Sequence, residues 1–210
     1  MSMSRVPIVL VAILANLTAP SWGIANEVTN GSFDVDVAGW IPLPQTTLTW
    51  DPADADGDPG SGSALVTGTG GFPSVSGIYQ CSDALEGGAD YVSRGEIFIQ
   101  SGQPAGGLVF IEINVHDQLD CAGSLVAYDI TPAVYSTTTD EWVISEKVVS
   151  IPVAGRSANV RPLLTKNSGS GDFSVLLDNI AVFEVSLIFA DGFESGDLSQ
   201  WSVPLAAGRW

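Results

Sequence analysis

Two neighbouring segments of the sequence have an alternating pattern. In each segment, every second residue belongs to a row of aromatic and polar side chains. In YVSRGEIFIQ (residues 91–100), that row contains Arg94, Glu96, Phe98 and Gln100. In LVFIEINVH (residues 108–116), it contains Phe110, Glu112, Asn114 and His116. Rings among hydrogen-bonding side chains suit a neutral polar ligand such as a sugar. If the segments pair as a hairpin through SGQPAGG, the eight residues predict one ligand-binding patch. The alternative is an outward face covered by loops.

The same segments contain the groups that a catalytic site would need. His116 is the only histidine, so a Ser-His-Asp site would have to use it, but no nucleophile-elbow sequence accompanies it. Glu96 and Glu112 are formally the two carboxylates of a glycosidase, yet adjacent pairs on one face are usually too close and too exposed for that role. The sequence also lacks HExxH, CxxC and a phosphate-binding glycine loop. We therefore predict that the protein is not an enzyme.

The two cysteines, Cys81 and Cys121, lie about forty residues apart. A cysteine pair in an exported protein indicates a disulfide. Closing a loop of this length contributes roughly 3–4 kcal/mol on the chain-entropy account. We predict a Cys81–Cys121 bond, with two buried free thiols as the alternative.

Export is indicated by residues 1–25. Arg5 precedes the apolar run VPIVLVAILANLTA, and the small residues Gly23 and Ala25 follow it. This pattern is typical of a cleaved signal peptide, and the run is too short to cross a bilayer. We expect a secreted or cell-surface protein with no transmembrane segment after cleavage. An N-terminal anchor helix is the alternative.

The net charge of the chain restricts the classes of partner that it can bind. The chain has 24 acidic and 7 basic residues, for a net charge of −17. Such a surface has no electrostatic affinity for nucleic acids or anionic membranes. A solvated secreted surface, calcium sites and a neutral ligand are all compatible with it.

The elements that must position these side chains are strands. Short β-branched runs recur between Gly, Pro, Ser and Asp residues, and Val109, Ile111, Ile113 and Val115 form an apolar row with a period of two. The first strand is expected around EVTNGSF, residues 27–33. The sequence predicts an all-β fold: a jelly-roll β-sandwich of about eight to ten antiparallel strands over residues 26–185.

The opening EVTNGSFDVDVAGW resembles the start of carbohydrate-binding modules of the 4/9 (CenC) type. GSGSALVTG, GIYQCSDALEGGADYVSRGEIFIQSG and VLLDNIAVFE follow in the order of that family. The resemblance covers residues 26–185. It implies a galactose-binding-like jelly roll that binds polysaccharide or another glycan. The alternative is a secreted structural or adhesion protein that uses the same sandwich to bind proteins.

The family resemblance also implies a structural calcium ion. The positions that match its ligands are Asp34 and Asp178, and Ca²⁺ prefers such oxygen ligands. The alternative is that both carboxylates accept hydrogen bonds from backbone donors. A further acidic stretch, DPADADGDPG (residues 51–60), lacks the Glu that would complete an EF-hand loop, so we interpret it as a solvated loop.

The last 25 residues contain a second recognisable phrase. IFADGFESGDLSQWS resembles a short element at the C-termini of many exported bacterial proteins. Only nine residues follow Trp201, too few for a second sandwich. We interpret residues 186–210 as a tail that docks on the sandwich or binds a sorting or cell-surface partner.

Overall fold

The computed structural model describes residues 26–71 and 74–185. The predicted signal peptide (1–25) and the predicted C-terminal tail (186–210) lie outside the described residues. Within the described part, no helix is long and apolar enough to cross a membrane.

Eleven strands, paired antiparallel, form two sheets within the described ranges. The six-stranded sheet has the order β1 (Ile41–Pro42), β4 (Ser74–Ser82), β10 (Ser157–Lys166), β6 (Gly107–His116) and β7 (Leu125–Ile130), with β8 (Val134–Tyr135) also pairing with β6. The five-stranded sheet has the order β2 (Thr46–Asp51), β3 (Ser63–Gly68), β11 (Phe173–Glu184), β5 (Asp90–Phe98) and β9 (Trp142–Ser150). The predicted all-β sandwich is confirmed.

The core lies between the two sheets. The predicted apolar row of β6 is buried there, and alternate residues of β5 face it from the opposite sheet. The sheets approach closely at Gly95, where an added Cβ would lie 2.7 Å from Cδ1 of Ile111. One face of each central strand is therefore buried, which explains the period of two in its sequence.

The predicted hairpin between residues 91–100 and 108–116 is wrong. β5 pairs with β11 and β9, whereas β6 pairs with β10, β7 and β8. The connecting residues cross from one sheet to the other instead of turning back within one sheet. Alternation shows which side chains share a face of a strand, but it does not show which strand lies beside it.

The predicted first strand at residues 27–33 is not a regular strand. The segment does lie along β11: the Glu27 N–H donates to the Val182 carbonyl (2.8 Å), and the Ile180 N–H donates to the Gly31 carbonyl (2.9 Å). Phe33 has a positive φ of 49° that interrupts an extended conformation. Its ring is nevertheless fully buried, so the segment closes one end of the core.

The predicted disulfide is confirmed. Cys81 of β4 is bonded to Cys121, with their Cα atoms 5.9 Å apart. Close by, the Asp120 N–H donates to Oδ1 of Asp83 (2.7 Å). The loop that follows β6 is thereby attached to β4, across β10, which lies between these two strands.

Candidate functional site

The eight predicted ligand-binding residues lie on opposite sides of the sandwich. The outer face of the five-stranded sheet carries the β5 row and its continuation: Arg94, Glu96, Phe98 and Gln100. The outer face of the six-stranded sheet carries the β6 row: Phe110, Glu112, Asn114 and His116. A single patch of all eight residues does not form, because the strands that carry them belong to different sheets.

An apolar row crosses the outer face of the five-stranded sheet. Four residues on neighbouring strands lie side by side in register: Leu65 (β3), Leu176 (β11), Phe98 (β5) and Trp142 (β9). All four are partly buried. The rings of Phe98 and Trp142 are 5.4 Å apart with their planes tilted by 52°. Sequence reasoning found only Phe98, since the other three come from distant segments and meet only through strand register.

A cleft of about 450 Å³ and a second of about 320 Å³ open on this face. The smaller one, here the apolar cleft, is lined by the apolar row except Trp142 and by polar groups at its rim: Asp51, Gln100, Gln103 and Ser174. The Gln103 side chain is held in place because its Oε1 accepts a hydrogen bond from the Ser174 N–H (2.8 Å). Apolar surface bordered by amides and hydroxyls can stack against a sugar ring and bind its hydroxyl groups.

The larger one, here the polar cleft, contains Arg94 and Glu96 beside the N-terminal segment. The guanidinium of Arg94 donates to Oε1 of Glu96 (2.9 Å) and lies 3.9 Å from Oε2 of Glu146. Asp56 also lines this cleft. Arg94 is the one cationic side chain among the residues that line the cleft, and it is paired with carboxylates.

The loop of residues 52–62 separates the two clefts. Asp51 and Ala53 line the apolar cleft, and Asp56 lines the polar one. The Ala55 N–H donates to Oδ2 of Asp178 (3.0 Å), which attaches the loop to β11. The acidic stretch that we interpreted as a solvated loop is mostly exposed and also contributes a residue to the wall of each cleft.

Asp178, one of the two predicted calcium ligands, is buried beneath this loop. Burial raises the pKa of its carboxyl to about 6, and repulsion from Asp54 and Glu96 acts in the same direction. Backbone N–H groups of Ala55 and Asn179 donate to the carboxylate and partly offset that rise in pKa.

Asp34, the other predicted calcium ligand, is exposed. Its Oδ1 accepts a hydrogen bond from the hydroxyl of Ser61, in the same loop (3.2 Å). Asp34 and Asp178 therefore contact two different points of one loop. Within residues 26–71 and 74–185, no three acidic, histidine or cysteine side chains converge in a geometry that could hold a metal.

On the other side of the sandwich, the β6 row is centred on an ion pair. Oε1 of Glu112 accepts from Arg161 of β10 (2.7 Å) and from Nδ2 of Asn114 (2.8 Å). Both ring nitrogens of His116 are buried without a hydrogen-bond partner. Since Glu96 lies on the opposite face, Glu112 and Glu96 do not flank a common bond, and the glycosidase pair that they formally suggested is not assembled.

No family model matches the sequence. No curated protein matches it either.

Solved structures do match the fold. The CBM22-1 xylan-binding domain from Paenibacillus barcinonensis Xyn10C is 17% identical, with a TM-score of 0.53 over 74% of this chain and 92% of that one. TmCBM61 in complex with β-1,4-galactotriose is 14% identical, with a TM-score of 0.52 over 76% of this chain and 99% of that one. At these identities, the similarity shows that the chain has the β-sandwich fold of carbohydrate-binding modules.

A longer enzyme chain contains the same fold. Arabinose-bound MgGH51 α-L-arabinofuranosidase is 14% identical, with a TM-score of 0.60 over 77% of this chain. The present chain spans only 26% of that protein's length.

Proposed function

We propose that this protein is a secreted, non-catalytic glycan-binding module whose ligand lies on the outer face of the five-stranded sheet. The observation that carries this proposal is the apolar row, which ends in the Phe98–Trp142 ring pair and is bordered by the amides of Gln100 and Gln103. Aromatic faces stack on the C–H surface of sugar rings, while amides bind hydroxyl groups. The fold shared with carbohydrate-binding modules supports the same function.

The charge distribution favours a neutral glycan. Arg94 is already paired with Glu96 and lies near Glu146, and Asp56 adds a further carboxylate to the polar cleft. A uronic acid would meet these carboxylates, and no side chain that lines the cleft offers it an unpaired cation. Neutral β-1,4-linked polysaccharides are therefore the first probes to use, beginning with xylan and β-1,4-galactan, which the names of two similar structures suggest.

Phe98 and Phe110 provide a matched test, because they occupy equivalent alternate rows on opposite faces. We expect Phe98→Ala to weaken retention in xylan or galactan affinity gels about fivefold, since one ring stack contributes about 1 kcal/mol. Phe110→Ala should bind like the wild type. Equal loss in both variants, or loss only with Phe110→Ala, would remove the proposed site; no retention on any neutral glycan would favour a protein-binding scaffold.

We also propose a structural Ca²⁺ beside Asp178. Its buried carboxylate has few compensating charges, and Ser63, one step beyond the Leu177–Ala64 register pair, has a buried hydroxyl oxygen without a partner. Carboxylate, hydroxyl and backbone carbonyl oxygens suit Ca²⁺ and do not suit softer metals. With Asp34 at the other side of the same loop, the ion would stabilise the wall of both clefts.

Calcium removal tests this proposal directly. Dialysis against a chelator should lower the melting temperature by several degrees, and added Ca²⁺ should restore it because binding to the folded state alone stabilises that state. Asp178→Asn should abolish the calcium response. An unchanged melting temperature after chelation of the wild type would exclude the site.

A further inference from the structure

The outer face of the six-stranded sheet is rich in exposed apolar side chains. Five of them lie on four of its strands and point away from the core: Ile41, Val75, Tyr128, Ile130 and Tyr135. Phe110 and Leu108 of β6 lie between them and are partly covered. Asn114, Asn159 and Thr165 share the same outward face. Exposed apolar side chains concentrated on one face mark an interaction surface.

This face is also electrically neutral. In the outward rows of β4, β6, β7 and β10, the charged residues are Glu112 and Arg161, which pair with each other at 2.7 Å. The chain as a whole carries a net charge of −17. Two copies therefore repel each other in most orientations, and the outward strand rows of this face add no unpaired charge to that repulsion.

The position of the ion pair gives the face a self-complementary arrangement. Glu112 and Arg161 are directly opposite each other on the adjacent strands β6 and β10. Turning a second copy by 180° about an axis that runs between these strands, in the plane of contact, places Glu112 over the partner's Arg161. The same rotation places Arg161 over the partner's Glu112. Such an isologous contact is the usual basis of a twofold dimer.

From the apolar face, its neutrality and this charge arrangement, we propose that two copies of the chain associate through the outer faces of their six-stranded sheets. Sheets stack face to face about 10 Å apart in this way within β-sandwiches. Strands about 4.8 Å apart with about 3.3 Å per residue give this face a projected area on the order of 500 Å². That is smaller than the roughly 800 Å² per partner of a standard interface, so the dimer is weak and concentration-dependent.

Sedimentation velocity on the full chain, from micromolar to submillimolar concentration, measures this association. We expect a reversible monomer–dimer equilibrium that strengthens when NaCl is raised from 50 to about 300 mM, because salt screens the repulsion between two acidic copies. A monomer at every concentration, or association that weakens with salt, would overturn the proposal.

Two valines form a matched pair of variants. Val75 on the six-stranded sheet is 57% exposed, and Val148 on the five-stranded sheet is 56% exposed. Val75→Asp should shift dimerisation at least tenfold towards monomer, whereas Val148→Asp should leave it unchanged. Equal effects of both variants, or no effect of Val75→Asp, would contradict the assignment of this face. Both variants should keep the wild-type melting transition.

The ion pair supplies a second, independent check. Arg161→Glu places like charges opposite each other and should abolish association, and the added change Glu112→Arg should restore it. Failure of the double variant to dimerise would contradict the isologous arrangement. Xylan or galactan retention should be unchanged in Val75→Asp, so the dimer and the proposed glycan site can fail separately. Weaker retention of Tyr128→Ala with unchanged sedimentation would instead assign this face to a glycan.

Discussion

The two outer faces of this sandwich are built from the same kind of alternating strand and differ in their clefts and in their charged groups. The five-stranded sheet bears two clefts, a wall formed by the acidic loop of residues 52–62, and a cation surrounded by carboxylates. On the six-stranded sheet, one ion pair shares the outer face with five exposed apolar side chains. Concavity and polar rims suit a small hydrated ligand, whereas an apolar, neutral surface suits another macromolecule. The comparison supports the two proposals, ligand binding at one face and association through the other.

The largest expected effect comes from the disulfide, which belongs to the six-stranded side. Replacing both cysteines (Cys81→Ser with Cys121→Ser) should lower the free energy of unfolding by roughly 3–4 kcal/mol, because the unfolded chain gains the entropy of an open forty-residue loop. Urea denaturation measures this loss. The five-stranded face should remain intact, so glycan retention below the unfolding transition should match the wild type. Loss of retention at temperatures where the variant is folded would show that the two faces are coupled.

A smaller, pH-dependent effect is expected on the five-stranded side. Burial raises the pKa of Asp178 to about 6 from its ordinary 3.8, so the folded protein binds this proton more tightly than the unfolded chain does. The contribution of this proton to the free energy of unfolding is fully present below pH 3.8, and it is lost as the pH rises through about 6. In chelator, Asp178 should therefore make the protein about 3 kcal/mol less stable at pH 7 than it would be with the carboxyl protonated.

Asp178→Asn isolates this contribution. In chelator, the variant should lack the loss of stability between pH 5 and pH 7 that the wild type shows, as measured by urea denaturation at each pH. Asp129→Asn, on β7 of the other sheet, is the control and should retain the wild-type loss in this interval. If Asp178→Asn followed the wild-type profile, the buried carboxyl would not be the source of the pH dependence.

The sequence predicted correctly which side chains share a face of a strand, but it predicted wrongly which strands lie side by side. Alternation placed Phe98 and Phe110 on outward rows correctly, since a period of two is imposed by burial of one side of each strand. It could not distinguish a hairpin from a connection between sheets, because a Gly- and Pro-containing linker is compatible with both. Trp142 and Leu176 became part of the site only through register with β5.

The acidic residues illustrate the same limit in a different way. Family resemblance selected Asp178, and the structure places it under the loop of residues 52–62, where burial changes its chemistry. The contribution of that loop to the walls of the two clefts was not predictable from its composition, since an acidic stretch that contains Gly and Pro is typical of solvated surface. Its contact with Asp178 is made by a backbone donor, the Ala55 N–H, which carries no sequence signal.

The smallest expected effect concerns charge selection on the five-stranded face. Glu146 lies 3.9 Å from Arg94, and removing its charge leaves that cation less fully compensated. Glu146→Gln should therefore raise the affinity for a glucuronate-substituted xylan, relative to unsubstituted xylan, by about two- to fivefold, which corresponds to a partly exposed ion pair of less than about 1 kcal/mol. Isothermal titration at low salt measures the ratio of the two affinities.

Glu112→Gln is the control, because it also removes a carboxylate from beside an arginine but on the opposite face. It should leave the ratio unchanged. A ratio that moved equally in both variants would mean that only the overall charge of the protein selects the ligand, and the distinction between the two faces would lose its electrostatic support.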